Sequence, residues 1–501
     1  MSTCLEPGRR SRTVAFILWL AGCLLLAAVL LVPRTAQAGE PPGAPPAALS
    51  GVHDPGPRGG SPGAGGPLGD LSPTELVLFN EGLFRASELE GTCDTCSDVP
   101  PGTVIPPGSP PDTTNSAGLG GRFNSDQCLA CHSHPAAGGT SPALNPSFSI
   151  AGHKGATNKV PFFERRDGPT REVRFLFHDD GTRDGSVHQK FTVAGRSDAP
   201  NCTLAQPDFE RAAEVNGLAF RIPTPLFGLG LVDSIPDQEI LAHLATHPER
   251  KQRLGIHGTP NRATNNATIG RFGWKAQNAS ITVFAGEAYN VEMGITNELF
   301  PISKTEDPTC NLGAEPNDVT RVDEDKFDDP RELMADWLMF SLFTRFLDAP
   351  QPAALTPAAR RGARLFEDVG CAECHVPSMK TRPAPLGPLS KALQGKTVNL
   401  FSDLVLHHMG ANLADNVIQG DAGPDMFRSS PLWGVGQRLF FLHDGRTGDL
   451  QDAIRAHFSL PSAAHGRDPA YPASEANQVV IDYFRLQANQ QQDVLEFLRS
   501  L

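Results

Sequence analysis

Four stretches of the chain repeat apolar positions at a helical period, and three of them start at a capping signal. Ser72-Pro73-Thr74-Glu75 places serine as N-cap, proline at the first helical position and glutamate at the third, which predicts a helix through LVLFNEGLF. Asp329-Pro330-Arg331-Glu332 opens a second, LMADWLMFSLFTRFL, whose apolar positions include Leu333, Trp337, Phe340 and Phe343. Thr356-Pro357 opens a third, AARRGARLF, and the amphipathic segment DVLEFLRSL closes the chain. One stretch has a different period. In EVRFLFHDDGTRDGSVHQKFTV, Val173, Phe175 and Phe177 alternate with other residues, DDGTRDG follows, and a second alternating run comes after it. That pattern predicts a β-hairpin inserted into a mainly helical domain.

Between these elements the pattern fails in two places. Residues 40–70 are rich in Pro and Gly, a composition that builds no core and reads as a flexible tether. A similar insert spans 98–121. At the start of the chain, Arg9, Arg10 and Arg12 precede an apolar run from Val14 to Val32, then Pro33 and Ala36-Gln37-Ala38. This is the layout of a secretory signal peptide cleaved after Ala38, with an uncleaved membrane anchor as the alternative. Leu20-Ala21-Gly22-Cys23 also looks like a lipoprotein cleavage box, ranked lower because the apolar run continues past it. Export leads to the periplasm, an oxidising compartment.

Composition narrows the picture little. The 501 residues carry a formal charge of -13, so the basic face that nucleic-acid binding wants is not suggested. The cysteines say more. Of ten, Cys4 and Cys23 lie in the N-terminal segment, and Cys93, Cys96, Cys202 and Cys310 are open to three pairings, of which Cys202 with Cys310 and Cys93 with Cys96 are favoured. The remaining four form QCLACH at 127–132 and GCAECH at 370–375. In CxxCH each sulfur can form a thioether with one haem vinyl group, and the following histidine becomes an axial ligand of the iron. Cys128, Cys131, Cys371 and Cys374 are thus candidate haem attachments, and His132 and His375 candidate iron ligands. A four-cysteine zinc site, Cys93-Cys96 with Cys128-Cys131, is the competing reading. Ser97 follows Cys96, so the first pair is not a third haem motif.

Each half therefore begins with a helix, carries one CxxCH and closes with a Phe/Leu-rich helix, as a diverged duplication would. The expected fold is mainly α, two cytochrome c-like domains, the first enlarged by the hairpin and long loops. The expected boundaries are a signal peptide at 1–38, a tether at 39–71, and haem domains at 72–349 and 350–501.

Several segments resemble the bacterial di-haem oxidoreductases: RFGWKAQNAS at 271–280, EAYNVEMGITNELFP at 287–301, CAECHVP at 371–377, FSDLVLHHMG at 401–410, PLWG at 431–434 and LHDGR at 442–446. That family is itself similar, more distantly, to the di-haem cytochrome c peroxidases. The resemblance implies His457, at the end of DLQDAIRAH, as sixth ligand of the C-terminal haem, where methionine usually stands. It implies His153 in AGHKGATNKVP as a displaceable ligand of the N-terminal haem, with His134 and His178 as alternatives. Trp274 falls where those enzymes place a tryptophan between the haems, and Glu292 matches the glutamate that handles protons beside the peroxide-binding haem. Phe284 stands where the peroxidases carry a distal glutamine. His407, His443, Asp444 and Arg446 lie in haem-facing motifs, with Arg446 suited to a haem propionate. Calcium between the domains belongs to the same resemblance, although no dedicated loop for it is evident.

The function expected from these residues is reduction of hydrogen peroxide with electrons from a small periplasmic donor, a cytochrome c or a cupredoxin. Two alternatives stand beside it: a non-catalytic electron carrier with two closed irons, and oxidation of a protein or organic substrate through high-valent haem. A membrane is a partner only if the N-terminal segment stays uncleaved or is lipidated.

Overall fold

The computed structural model describes residues 44–91, 118–153, 155–157, 159–178, 180–185, 187–188, 199, 201–264, 268–305, 307, 310, 315–320, 334–383 and 391–501. The signal segment, Cys93 and Cys96 lie outside them. Among the described residues no helix is long and apolar enough to cross a membrane.

Helix α1 (Pro73–Ser87) starts at the expected capping box: Ser72 Oγ accepts from the Glu75 amide and the Glu75 carboxylate accepts from the Ser72 amide. It leads to α2 (Cys128–Cys131), a single turn holding the first cysteine pair. Beyond it come α3 (Ile281–Glu292) and α4 (Asp336–Phe346). The start expected for α4 at 329–332 lies outside the described residues, and the described helix begins at Asp336. Its cap is remote: the Asp318 carboxylate accepts the amides of Asp336 and Trp337, each at 2.9 Å. A local capping rule cannot find a cap supplied from 18 residues upstream. Thr356 caps α5 (Pro357–Val369), which ends at Gly370 in the left-handed region, φ 104°, so that the chain turns directly into Cys371. Two further helices near the second site are α6 (Leu450–Ala456) and α7 (Ala488–Ser500).

The same helix crossing is built twice. α1 packs on α4, and α5 packs on α7. At the first crossing a Cβ on Gly82 would lie 2.3 Å from the Met339 carbonyl oxygen; at the second a Cβ on Gly362 would lie 1.8 Å from that of Asp493. No larger residue fits at either point without parting the helices. Beside each glycine sits a buried phenylalanine pair, Phe79 with Phe343 and Phe366 with Phe497, both at 5.4 Å between ring centres. Full burial of one such side chain contributes about 1.5–3 kcal/mol.

A small antiparallel sheet flanks the first crossing. β1 (Glu172–Phe175) pairs on one edge with β2 (Val187–His188) and on the other with β3 (Leu218–Arg221). Val173 and Phe175 turn to a cluster with Phe163 and Phe209. Strand alternation then puts Glu172 and Arg174 on the opposite face, with Arg221 directly across from Glu172. Cys202 and Cys310 form a disulfide, the favoured pairing.

The Pro/Gly segment corrects one expectation. Residues 44–71 are docked along the fold instead of hanging free. Asp54 receives two hydrogen bonds from the Arg499 guanidinium, at 2.7 and 2.6 Å, and a third from the Leu450 amide. Arg58 donates to the Gln351 carbonyl and the Leu68 amide to that of Phe346. A segment without a core of its own is held here by polar anchors to distant residues, which composition does not register.

Candidate functional site

The turn α2 forms one wall of a cavity of about 170 Å³, lined by Cys128, Cys131 and His132. Cys128 is a free thiol. Burial pushes the Cys128 thiol well above its ordinary pKa, so it is uncharged at neutral pH. His132 Nδ1 lies 3.0 Å from the Gly139 carbonyl, and because a carbonyl only accepts, Nδ1 carries the hydrogen. Burial lowers the pKa of this ring, against its hydrogen bonds to the Gly139 and Thr224 backbone, which oppose the shift.

Across the cavity α3 presents Phe284 and Glu292. The Glu292 carboxylate accepts from Asn124 Nδ2 at 2.8 Å, and the Glu292 carbonyl accepts the Asn124 amide at 2.7 Å. The polar face of β1 closes the same cavity with Glu172 and Arg174, Arg174 Nε donating to Glu172 at 3.3 Å. Glu292 lies close enough to Glu172 to help lower its pKa.

The second cavity, about 220 Å³, is lined by Cys371, Cys374 and His375 from the turn after α5 and by His457 from the end of α6. Burial pushes the Cys371 thiol up to about 12. His375 Nδ1 donates to the Phe401 carbonyl (3.1 Å) and His457 Nδ1 to the Ala453 carbonyl (2.7 Å), which leaves each Nε2 with its lone pair. Burial, with His457 close by, lowers His375 to about 4, and burial lowers His457 as well. Both rings are therefore neutral at pH 7, the state a metal ligand requires. The rest of the lining is mostly apolar, including Phe366, Leu413, Phe427, Val479 and Leu498.

Trp274 lines both cavities. Its indole Nε1 donates to the Ile222 carbonyl at 3.0 Å, and its ring meets His443 edge-on at 6.4 Å. Beside it, Lys275 Nζ and the Arg221 guanidinium converge on Asp415, at 3.0 and 2.7 Å, all three side chains at most 2% exposed. His407 is buried between Asp403 (3.0 Å) and Glu475 (2.8 Å); burial opposes its charge, but Cys374 and Asp403 hold its pKa well above the ordinary value.

The structure thus brings together Cys128, Cys131, His132 and Glu292, and separately Cys371, Cys374, His375 and His457, with Trp274 in both walls. Arg446 is not among the residues lining either cavity. It is turned to Asp444 (2.7 Å) and the Asn412 carbonyl (2.8 Å), so its guanidinium is already committed. His153 ends the helix Ser147–His153, and its side chain lies outside the described residues. His134 donates to the Gln437 carbonyl and His178 pairs with Asp184, away from the first cavity lining. Sequence reasoning missed Asn124, Glu172, Arg174, Arg428 and Arg438. The alternation in EVRF marks Glu172 and Arg174 as one polar face, a usable signal; the others carry none.

The chain matches, over residues 182–483, the family described as "Di-haem oxidoreductase, putative peroxidase". It belongs to that family. The matched span holds GCAECH, Trp274, Glu292 and His457, while QCLACH lies before it. Among solved structures this di-haem oxidoreductase is similar to a MauG-like protein associated with microbial copper homeostasis, at 16% identity over 55% of this chain and 89% of that one, TM-score 0.28. It is also similar to Kuenenia stuttgartiensis hydrazine synthase, at 20% identity over 34% of this chain and 56% of that one, TM-score 0.20. Scores this low carry no argument. No curated protein matches.

The residues present fit two haems. Each cavity is lined by two half-buried cysteines followed by a neutral imidazole. The second also holds two buried guanidiniums, Arg428 and Arg438, each 8% exposed. Burial lowers both to about 10; Arg438 adds to the lowering at Arg428, where Asp403 opposes it and the guanidinium donates to the Gly273 and Ser429 carbonyls. Two adjacent buried cations so poorly compensated are costly unless an anion joins them, and carboxylates of a bound macrocycle would do so. Among the described residues no group of three or more His, Cys, Asp or Glu side chains is arranged to hold a metal ion, so calcium finds no such cluster.

Proposed function

We propose that this di-haem oxidoreductase is an exported, periplasmic peroxidase that carries both haems covalently and reduces hydrogen peroxide with electrons from a small donor protein, a cytochrome c or a cupredoxin. Cys128, Cys131 and His132 would hold one haem. Cys371, Cys374, His375 and His457 would hold the other, and Arg428 and Arg438 would suit its carboxylates. When bound, the haems supply the redox chemistry.

The chain's own residues divide the work. His375 and His457, both neutral with Nε2 available, close the second cavity against small ligands and suit it to receiving electrons. Trp274 offers an aromatic path, since it lines both cavities. In the first cavity Glu292 handles protons: peroxide cleavage needs a group that takes a proton from one oxygen and delivers it to the other. Asn124 orients that carboxylate. The observation carrying this reading is the acid, Glu292, lining the same cavity as CxxCH. Peroxide titration of the half-reduced, haem-loaded protein tests it. Stoichiometric reoxidation in the native protein, slowed by roughly a hundredfold in Glu292→Gln, is expected. Absence of reoxidation, or full rates in the variant, would refute it.

A further inference from the structure

The first cavity contains a second carboxylate for which the reading above has no use. We infer that Glu172 is the proton partner of Glu292, reaching from solvent on strand β1 to the acid that faces the first cavity, and that Asn124 fixes the pair in place. This rests on Glu292 being the acid of that site.

Three observations carry it. The first is placement: β1 alternation aims Glu172 and Arg174 at the cavity while Val173 and Phe175 pack in the core behind. The second is proximity. Glu172 and Glu292 line the same cavity, and two carboxyl groups that meet can share a hydrogen bond only if one proton lies between them. Asn124 donates to Glu292 Oε2, so an amide donor fixes the orientation of this acid. The third is electrostatics. Burial raises the Glu172 pKa, but Arg174, Arg221 and Glu292 outweigh it and leave Glu172 below the usual carboxylate range. Glu172 is thus the member of the pair that Arg174 and Arg221 favour as a carboxylate. Other charges near this cavity include Glu287, Asp184, Glu90, Asp336 and Lys304, the pKa of Lys304 being lowered by burial and Arg174. Phe284, the other α3 side chain singled out here, carries no proton.

Reducing one peroxide to two waters breaks the O–O bond and consumes two electrons and two protons. The electrons come from the donor protein. The protons pass from solvent to Glu172, whose side chain is 21% exposed, then to Glu292 and on to the peroxide oxygen.

Cyanide provides a readout free of turnover, because hydrogen cyanide must give up a proton to bind iron as the anion. Cyanide association would be followed against pH in haem-loaded wild type, Glu172→Gln, Glu292→Gln and the double variant, in oxidised and half-reduced states. Each single change is expected to slow association by roughly tenfold or more near neutral pH, and the double variant no further, because the two act as one unit. Arg174→Gln, which leaves both acids in place, is expected to move the pH profile upward, since Arg174 holds Glu172 down. An unchanged rate and profile in Glu172→Gln overturns the proposal. So does a double variant slowed by the product of the single effects, an unmoved profile in Arg174→Gln, or no cyanide binding in any redox state. If cyanide behaves as expected while peroxide fails to oxidise the wild type, the carboxyl pair stands and the peroxidase reading falls.

Discussion

The two cavities start from the same motif and diverge in what surrounds it. Around Cys371–His375 the lining is mostly apolar, with His457 as a second neutral imidazole and with His407, His443, Glu475, Arg428 and Arg438 among its polar members. Around Cys128–His132 the lining brings three glutamates, an asparagine and two arginines, and no second histidine among its residues. A shared scaffold thus supports opposite environments. A helix crossing with a glycine at its closest point positions the cysteine turn in both halves. The contrast comes from elements that are not duplicated: β1 and α3 at the first cavity, and α6 at the second.

The largest effect is expected from removing one attachment at a time. Cys371→Ser with Cys374→Ser should leave the first haem in place but abolish reduction by the donor, whereas Cys128→Ser with Cys131→Ser should leave an electron-accepting protein inert to peroxide. Haem-stained gels and donor-oxidation assays on both pairs would show this; equal loss of both functions in either pair would erase the contrast. Next, His457→Met should raise the potential of the second haem by on the order of 100 mV while the first is little changed, because thioether ligation favours the reduced metal. Spectroelectrochemistry reads both haems at once. Trp274→Phe should then slow transfer between the haems by roughly tenfold, a barrier increase of about 1.4 kcal/mol, while leaving each spectrum intact. Flash reduction followed at the two haems measures it.

The smallest effect on the haems, though not on the fold, is expected at Asp415. Burial raises this carboxyl, but Arg221 and Lys275 outweigh it and hold it at about 2. A group lowered on folding stabilises the native state above its unfolded pKa of about 4 and loses that contribution as pH falls towards about 2. Asp415→Asn should cost about 3–5 kcal/mol at pH 7 by stranding Arg221 and Lys275, with a difference from wild type that shrinks in acid. Thermal unfolding from pH 7 down to strongly acidic conditions would reveal it.

What the sequence made legible is local. The caps at Ser72 and Thr356, the cysteine turns, and the alternation in EVRF are all written within a few residues, and each appears where expected. Trp274 and Glu292 were legible through resemblance; Trp274 lines both cavities and Glu292 the first. Arg446 was chosen for its neighbours in a motif, yet the cations at the second cavity are Arg428 and Arg438. Which arginine turns inward depends on burial by segments far away in the chain. The docking of residues 44–71 was missed for the same reason: Asp54 meets Arg499 across 445 positions, and Pro/Gly content reports only that the segment lacks a core.

The most direct measurement is the mass of the exported protein under denaturing conditions, made in cells competent for cytochrome maturation. The expected value is that of the polypeptide beginning after Ala38 plus two haems, falling by one haem in each double-cysteine variant. A wild-type mass equal to the bare polypeptide would contradict the assignment of both cavities.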